Sequence, residues 1–159
     1  MKNSLLKTFA SLCFVFLAVA AARADNPYNE SADAKLDIKQ ALAQAAPNKT
    51  PIIIIFGANW CPDCRVLDLA MKRGATASLL ARDFKIVHVD VGQKDKNLDV
   101  AKTYGVAVDK GIPAVVIVSS SNELLYATKD GELAKAREMD DKGIYEFFKR
   151  VTVEAMAKK

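Results

Sequence analysis

The sequence predicts an α/β fold built on a mixed sheet of about four strands flanked by helices, and three observations carry that prediction. Pro51–Ala58, "PIIIIFGA", is a continuous β-branched run, too short for a helix and too apolar to face water on either side. It reads as a central strand covered on both faces. Stretches with apolar residues at helical spacing stand before and after it. Further on, helical and strand patterns alternate until two strands follow one another directly, which implies parallel crossovers first and an antiparallel pair at the end.

Each element has its own local reason. Asp25–Glu30, "DNPYNE", is polar and reads as a loose leader. The following stretch has Ser31 or Asp33 as N-cap and Ile38, Leu42 and Ala45 on one stripe, and Pro47 ends it, so it is a helix. After the central strand, a helix runs from about Cys64 to Lys72 and resumes in "ATASLLARD" beyond Gly74. Lys85–Val91 is a second strand, "KNLDVAKTYGV" a short helix closed near Gly105, and "GIPAVVIVSS" a third strand opened by a proline. Asn122–Gly131 gives a fourth strand with a turn at Asp130-Gly131. In the last helix Ile144, Phe147, Phe148 and Val151 form one apolar stripe.

The 159 residues suit one domain with a proper core. The first 24 do not belong to it. Lys2 and Lys7 precede an apolar stretch from about Phe9 to Ala22, and Ala22-Arg23-Ala24 offers a small-x-small cleavage pattern. That is the plan of a secretory signal peptide, and the run is short for a bilayer of about 30 Å. The expected division is a signal peptide over 1–24 and a single domain over 25–159, exported across the inner membrane, in a Gram-negative cell to the periplasm, with no stable membrane insertion after cleavage. Cleavage removes Lys2, Lys7 and Arg23 from 23 cations, which leaves them nearly balanced against 19 anions. No basic stripe interleaved with aromatics remains, so a nucleic-acid surface is not expected. Cleavage also removes Cys13, leaving Cys61 and Cys64 of three cysteines.

Cys61-Pro62-Asp63-Cys64 can be a staple, part of a metal site or a redox pair. A disulfide closing about four residues stabilises by only about 2 kcal/mol, and no cysteine remains to join distant elements. A metal needs about four ligands, whereas the chain offers two thiolates and His88 in mid-strand, so neither metal nor cofactor is expected. The redox reading uses what is present. The pair lies where the central strand gives way to a helix, and unpaired N–H groups with the helix dipole favour an anion on Cys61. Cys64, inside the helix, is then placed to resolve a mixed disulfide. Pro62 fits the first helical turn. Asp63 stabilises the helix start but opposes charge on Cys61.

At these residues the chain resembles the thioredoxin superfamily over about 34–155. "NWCPDC" resembles its W-C-x-x-C site, "YGVAVDKGIPAVVIV" the segment that carries its cis-proline, and "GELAKAREM" with the helix after it the tail of exported thioredoxin-like proteins. The resemblance implies a thioredoxin-like fold, Cys61 as nucleophile and Cys64 as resolving thiol. It implies Trp60 packed beside the pair, Pro113 cis against it, and the Ile112 backbone pairing with an extended substrate peptide. Thioredoxin also carries a buried aspartate six residues before its first cysteine. Here that position is Ile55, and His88 falls near thioredoxin's lysine. The proton partner of Cys64 stays unassigned: Asp63, Asp68 and His88 are each available, and each also reads as a solvated or structural residue.

The function expected is an exported thiol–disulfide oxidoreductase that reduces or isomerises disulfides of cysteine-containing substrate proteins. A membrane-bound thiol reductase as electron donor is implied by the resemblance. A moderately lowered Cys61 pKa leans towards reductant or isomerase. The rivals are a dithiol oxidase that introduces disulfides, and a binding module that holds partners at Pro113 with its cysteines permanently bridged. A peroxidase would need a peroxide pocket, which Arg65 alone does not make.

Overall fold

A computed structural model describes residues 26–158. The segment read as a signal peptide, with Cys13, lies outside the described residues.

The chain runs α1 (Ala34–Ala45), β1 (Ile52–Gly57), α2 (Pro62–Met71), α3 (Gly74–Asp83), β2 (Lys85–Asp90), α4 (Leu98–Thr103), β3 (Ala114–Val118), β4 (Leu124–Ala127) and α5 (Asp141–Ala157). Asp33 caps α1 by accepting the N–H groups of Lys35 and Leu36, and a 3₁₀ turn holding Pro47 closes it. All six residues of β1 are buried. Full burial of each isoleucine there contributes about 1.5–3 kcal/mol, which makes β1 the axis of the core. α1 covers β1 and β2, while α2, α3 and α5 pack together and α5 lies on β3 and β4.

The four strands lie in the order β2-β1-β3-β4. β1 and β2 are parallel, as the helices between them require. β3 pairs antiparallel with β1, and β4 antiparallel with β3. The alternation of helix and strand therefore overstates the parallel character of the sheet, because a helix before β3 does not make a full crossover. α4 has six residues and advances about 9 Å, so it does not itself carry the chain back along a six-residue strand of about 20 Å. The link from β2 to β3 stays at the end where Gly57 faces Asp90 and Phe56 faces Ala114, and β3 must run back from there. The same end of the sheet holds the start of α2.

β4 is shorter than the sequence pattern suggests, and Thr128 just beyond it ties β3 down. Its backbone N–H donates to the Val115 carbonyl at 2.9 Å. Its Oγ1 accepts the Val115 N–H at 2.9 Å and reaches the Val115 carbonyl at 3.3 Å. Thr128→Val keeps the shape and strands a buried N–H, so a loss of about 1–3 kcal/mol is expected in urea unfolding, with Thr128→Ser retaining most of the stability.

Candidate active site

β1 ends at Gly57, and four residues later the chain turns into α2. Cys61 is the N-cap, with extended backbone, and its Sγ accepts the Cys64 N–H at 3.3 Å. Pro62 occupies the first helical position, where its missing N–H costs nothing. Both cysteines are unbridged and buried, Cys61 at 4% and Cys64 at 0% exposure.

Two neighbours act on the Cys61 sulfur in opposite senses. The Cys64 side chain, and then the Cys64 N–H, favour the thiolate and bring the Cys61 pKa down to about 7, against burial and the nearby Asp63 charge. The Ile112 carbonyl, 3.7 Å from Sγ, accepts from the thiol and has no such bond to make with a thiolate. Cys64 moves the other way. Its interaction with Cys61, reinforced by burial, pushes its thiol well above the ordinary range. One proton is thus held between the pair, chiefly on the inner sulfur.

The structure places the residues singled out in the sequence as follows. Ile112 and Pro113 are buried beside the pair, joined by a cis peptide bond. Trp60 is 49% exposed, and its Nε1 donates to the Gly92 carbonyl at 2.7 Å. The indole nitrogen is pinned to the β2–α4 link while about half of the residue stays exposed. Asp63 stands beside the pair as the sequence reading has it, with a further partner that reading did not give. Its carboxylate is buried and turned towards the chain before α5, where Oδ1 accepts the Arg137 N–H at 2.9 Å and lies 3.9 Å from Arg137 Nε. Its first task is to hold the 3₁₀ turn Ala136–Glu138 against α2, and its repulsion of Cys61 is a secondary effect. The same segment approaches the proline loop closely, since a Cβ on Gly111 would strike Ala134.

Asp68 and Cys64 share one face of α2. Asp68 is 5% exposed, with Oδ2 2.8 Å from Lys72 Nζ and Oδ1 3.2 Å from His88 Nε2. Burial alone would raise its carboxyl, but His88 and Lys72 hold it below the usual carboxylate range. It is a paired, buried anion rather than a solvated one.

Sequence reasoning missed Tyr28 altogether. The leader read as loose is fastened: Asn59 Oδ1 accepts the Tyr28 N–H at 3.0 Å and Asn59 Nδ2 donates to the Tyr28 carbonyl at 2.8 Å. The Tyr28 ring is 2% exposed and meets His88 edge-on at 5.3 Å. The available signal was Gly57, because a glycine ending an isoleucine run marks a close approach.

A thioredoxin-like family profile matches residues 33–120, more than half of the chain. The chain belongs to the thioredoxin-like family. Among solved structures, the disulphide isomerase from Xylella fastidiosa Temecula1 is 46% identical, with coverage of 79% of this chain and 96% of that one and a TM-score of 0.74. The C-terminal domain of Neisseria meningitidis DsbD is similar in fold at 20% identity in its oxidised form, over 75% of this chain and 96% of that one with a TM-score of 0.53. In its reduced form the values are 19% identity, 73% and 95% coverage and a TM-score of 0.51. A search of curated proteins gives no match. As a thioredoxin-like protein with its Cys-x-x-Cys pair intact, it is a thiol–disulfide oxidoreductase.

Two outcomes follow for Asp63. Asp63→Asn removes the charge and keeps an acceptor for Arg137, so the Cys61 pKa, read from thiolate absorbance, is expected to fall below about 7. Asp63→Ala also releases the turn, with a loss of about 1–3 kcal/mol and faster amide exchange at Arg137.

Proposed function

We propose that this thiol–disulfide oxidoreductase is exported and acts on disulfides of other proteins as a reductant or isomerase. Cys61 is the attacking thiolate and Cys64 the resolving thiol. The observation that carries the reading is the unbridged pair at the start of α2, with Cys61 at the surface end and Cys64 fully enclosed. The relative from Xylella fastidiosa, whose description is disulphide isomerase, supports it.

The reaction proceeds in two displacements. Cys61 Sγ attacks one sulfur of a substrate disulfide, forms a mixed disulfide and expels the other sulfur as a thiolate. Cys64 Sγ then attacks Cys61 Sγ, the mixed disulfide breaks, and the second substrate sulfur leaves. The substrate gains two electrons and two protons, and the Cys61–Cys64 pair becomes a disulfide. A membrane-bound thiol reductase restores the dithiol. If a second substrate thiol attacks the mixed disulfide first, the substrate leaves rearranged and the pair stays reduced. Trp60, Ile112 and Pro113 line the approach to Cys61, where an extended peptide is to lie along the Ile112 backbone.

Direction follows from thiolate stability. A nucleophile whose pKa is as low as about 3.5 stabilises the dithiol strongly and makes an oxidant, whereas thioredoxin, with a thiol near 7, is a reductant. Cys61, at about 7, has the second character. Export is supported by Lys2, Lys7, the apolar run and Ala22-Arg23-Ala24. Among the described residues no helix is long and apolar enough to cross a membrane.

Cys64→Ser should leave Cys61 covalently joined to substrate proteins, recovered as reductant-sensitive adducts from the extracytoplasmic fraction and starting at Asp25. Equilibration of the mature protein with glutathione should give a potential well below about −120 mV, and a value at or above that figure makes the protein an oxidase. Alkylation of Cys61 should fall about tenfold for each pH unit below 7, because only the thiolate reacts.

A further inference from the structure

The resolving cysteine has a polar neighbour that the two displacements above do not use. Gly57 and Cys64 enclose the hydroxyl of Tyr28: a Cβ on Gly57 would fall inside that hydroxyl and lie 2.9 Å from Cys64 Sγ. The oxygen and the sulfur therefore converge on one point at the end of β1. Among the described residues no partner meets this buried hydroxyl in full hydrogen-bond geometry, but it stands close enough to the Cys64 sulfur for the tyrosine to favour the thiolate there. A buried hydroxyl without a partner is costly, and this one is held in place at some length. Asn59, two residues before the active site, grips the Tyr28 backbone through both its N–H and its carbonyl, and the same Asn59 side chain reaches Glu30 at 3.0 Å.

We propose that Tyr28 is a positioning residue for the resolving step, its O–H donating to the Cys64 sulfur as that sulfur becomes anionic. The proposal rests on the assignment of Cys64 as resolving thiol. In the step, Cys64–SH loses its proton to the substrate thiolate expelled in the first displacement, or to buffer when that thiolate is weakly basic. The S–S bond between Cys61 and substrate then breaks as the Cys64–Cys61 bond forms. Tyr28 neither gains nor loses a proton, and the charge it faces exists only between deprotonation and attack. Burial first, then the two cysteines, keep its own proton firmly bound, so it can donate to a sulfur anion but not take the Cys64 proton.

The surroundings fit a donor at this place. From β1 no titratable group faces the pair, because the position of thioredoxin's acid is Ile55, buried on the same side of the strand as Gly57. From α2 come Cys61 and Asp68, and Asp68 would repel a thiolate on Cys64 were it not paired with Lys72 and with His88 of β2. His88 stands beside Ile55 in the sheet register and carries the Tyr28 ring on its edge. The pairs answer the carboxylate, and the tyrosine answers the sulfur.

The test uses Tyr28→Phe in the mature protein with 5,5′-dithiobis(2-nitrobenzoate), whose chromophore is released once on capture by Cys61 and once on resolution by Cys64. The expected result is resolution slowed about tenfold relative to capture, a pH profile of the resolving phase moved to higher pH, and a melting temperature no lower than the parent's. The sign follows from the donor: without it the Cys64 thiolate is less stable, so its pKa rises and less thiolate exists at a given pH. Resolution at the parent's rate and pH profile overturns the proposal. So does slowing that is uniform with pH and accompanied by a lower melting temperature, which is a packing defect. Cys64→Ser separates the two levels. If that variant also releases both chromophores, the assignment of Cys64 fails, whereas one retained chromophore with Tyr28→Phe behaving as parent sinks the tyrosine alone.

Discussion

The contact on which the rest depends is the Cys64 N–H donating to the Cys61 sulfur across the first turn of α2. It caps the helix, it fixes the separation of the two sulfurs, and it biases the shared proton towards the inner one. A serine could cap the helix as well or better, but only a thiol turns the capping site into a nucleophile. The structure around it serves to keep this turn in register. β1 delivers it at the end of a fully buried strand, Pro62 sets its first φ, and Asp63 ties its flank to the chain before α5.

Much of this was legible in local sequence because local physics decides it. The isoleucine run suits a covered strand, and the proline after the first cysteine fits a helix start. The direction of β3 was not legible, since it depends on where a short helix leaves the chain in space. Asp63 was read as a neighbour of Cys61, which it is, but its partner is the backbone of Arg137, 74 positions away. No local pattern announces such a bond. Tyr28 is the plainest case: one aromatic in a polar hexapeptide carries no periodicity, and its burial is set by Asn59, His88 and the missing side chain of Gly57.

Ile55 shows how a fold redistributes a chemical task. An aspartate on the central strand puts a charge directly beneath the resolving thiol, at the price of burying it. This chain fills that position with an aliphatic side chain and moves its carboxylate to Asp68, one turn along α2, where Lys72 and His88 can reach it. A buried carboxylate held below the usual range by Lys72 on one oxygen and His88 near the other is a poor base. What remains to meet charge on Cys64 is a neutral donor. A hydroxyl stabilises an anion without adding a second formal charge to the core, and it costs less than an ion pair to keep when the thiolate is absent.

The shape of the approach adds a constraint on substrates. Cys61 is 4% exposed even though it must attack, and what surrounds it is of two kinds. Trp60 is about half exposed and is held through its indole nitrogen. Ile112 is buried with its carbonyl against the Cys61 sulfur, and the segment held by Asp63 crowds the loop before it through Ala134 and Gly111. On the proposed reading, a disulfide buried within a rigid domain could not readily bring its sulfur to Cys61 Sγ. One displayed on an extended or unfolded segment could, with its apolar neighbours on the indole. On that reading the site asks for accessible backbone beside the substrate cysteine and makes little demand on side-chain identity.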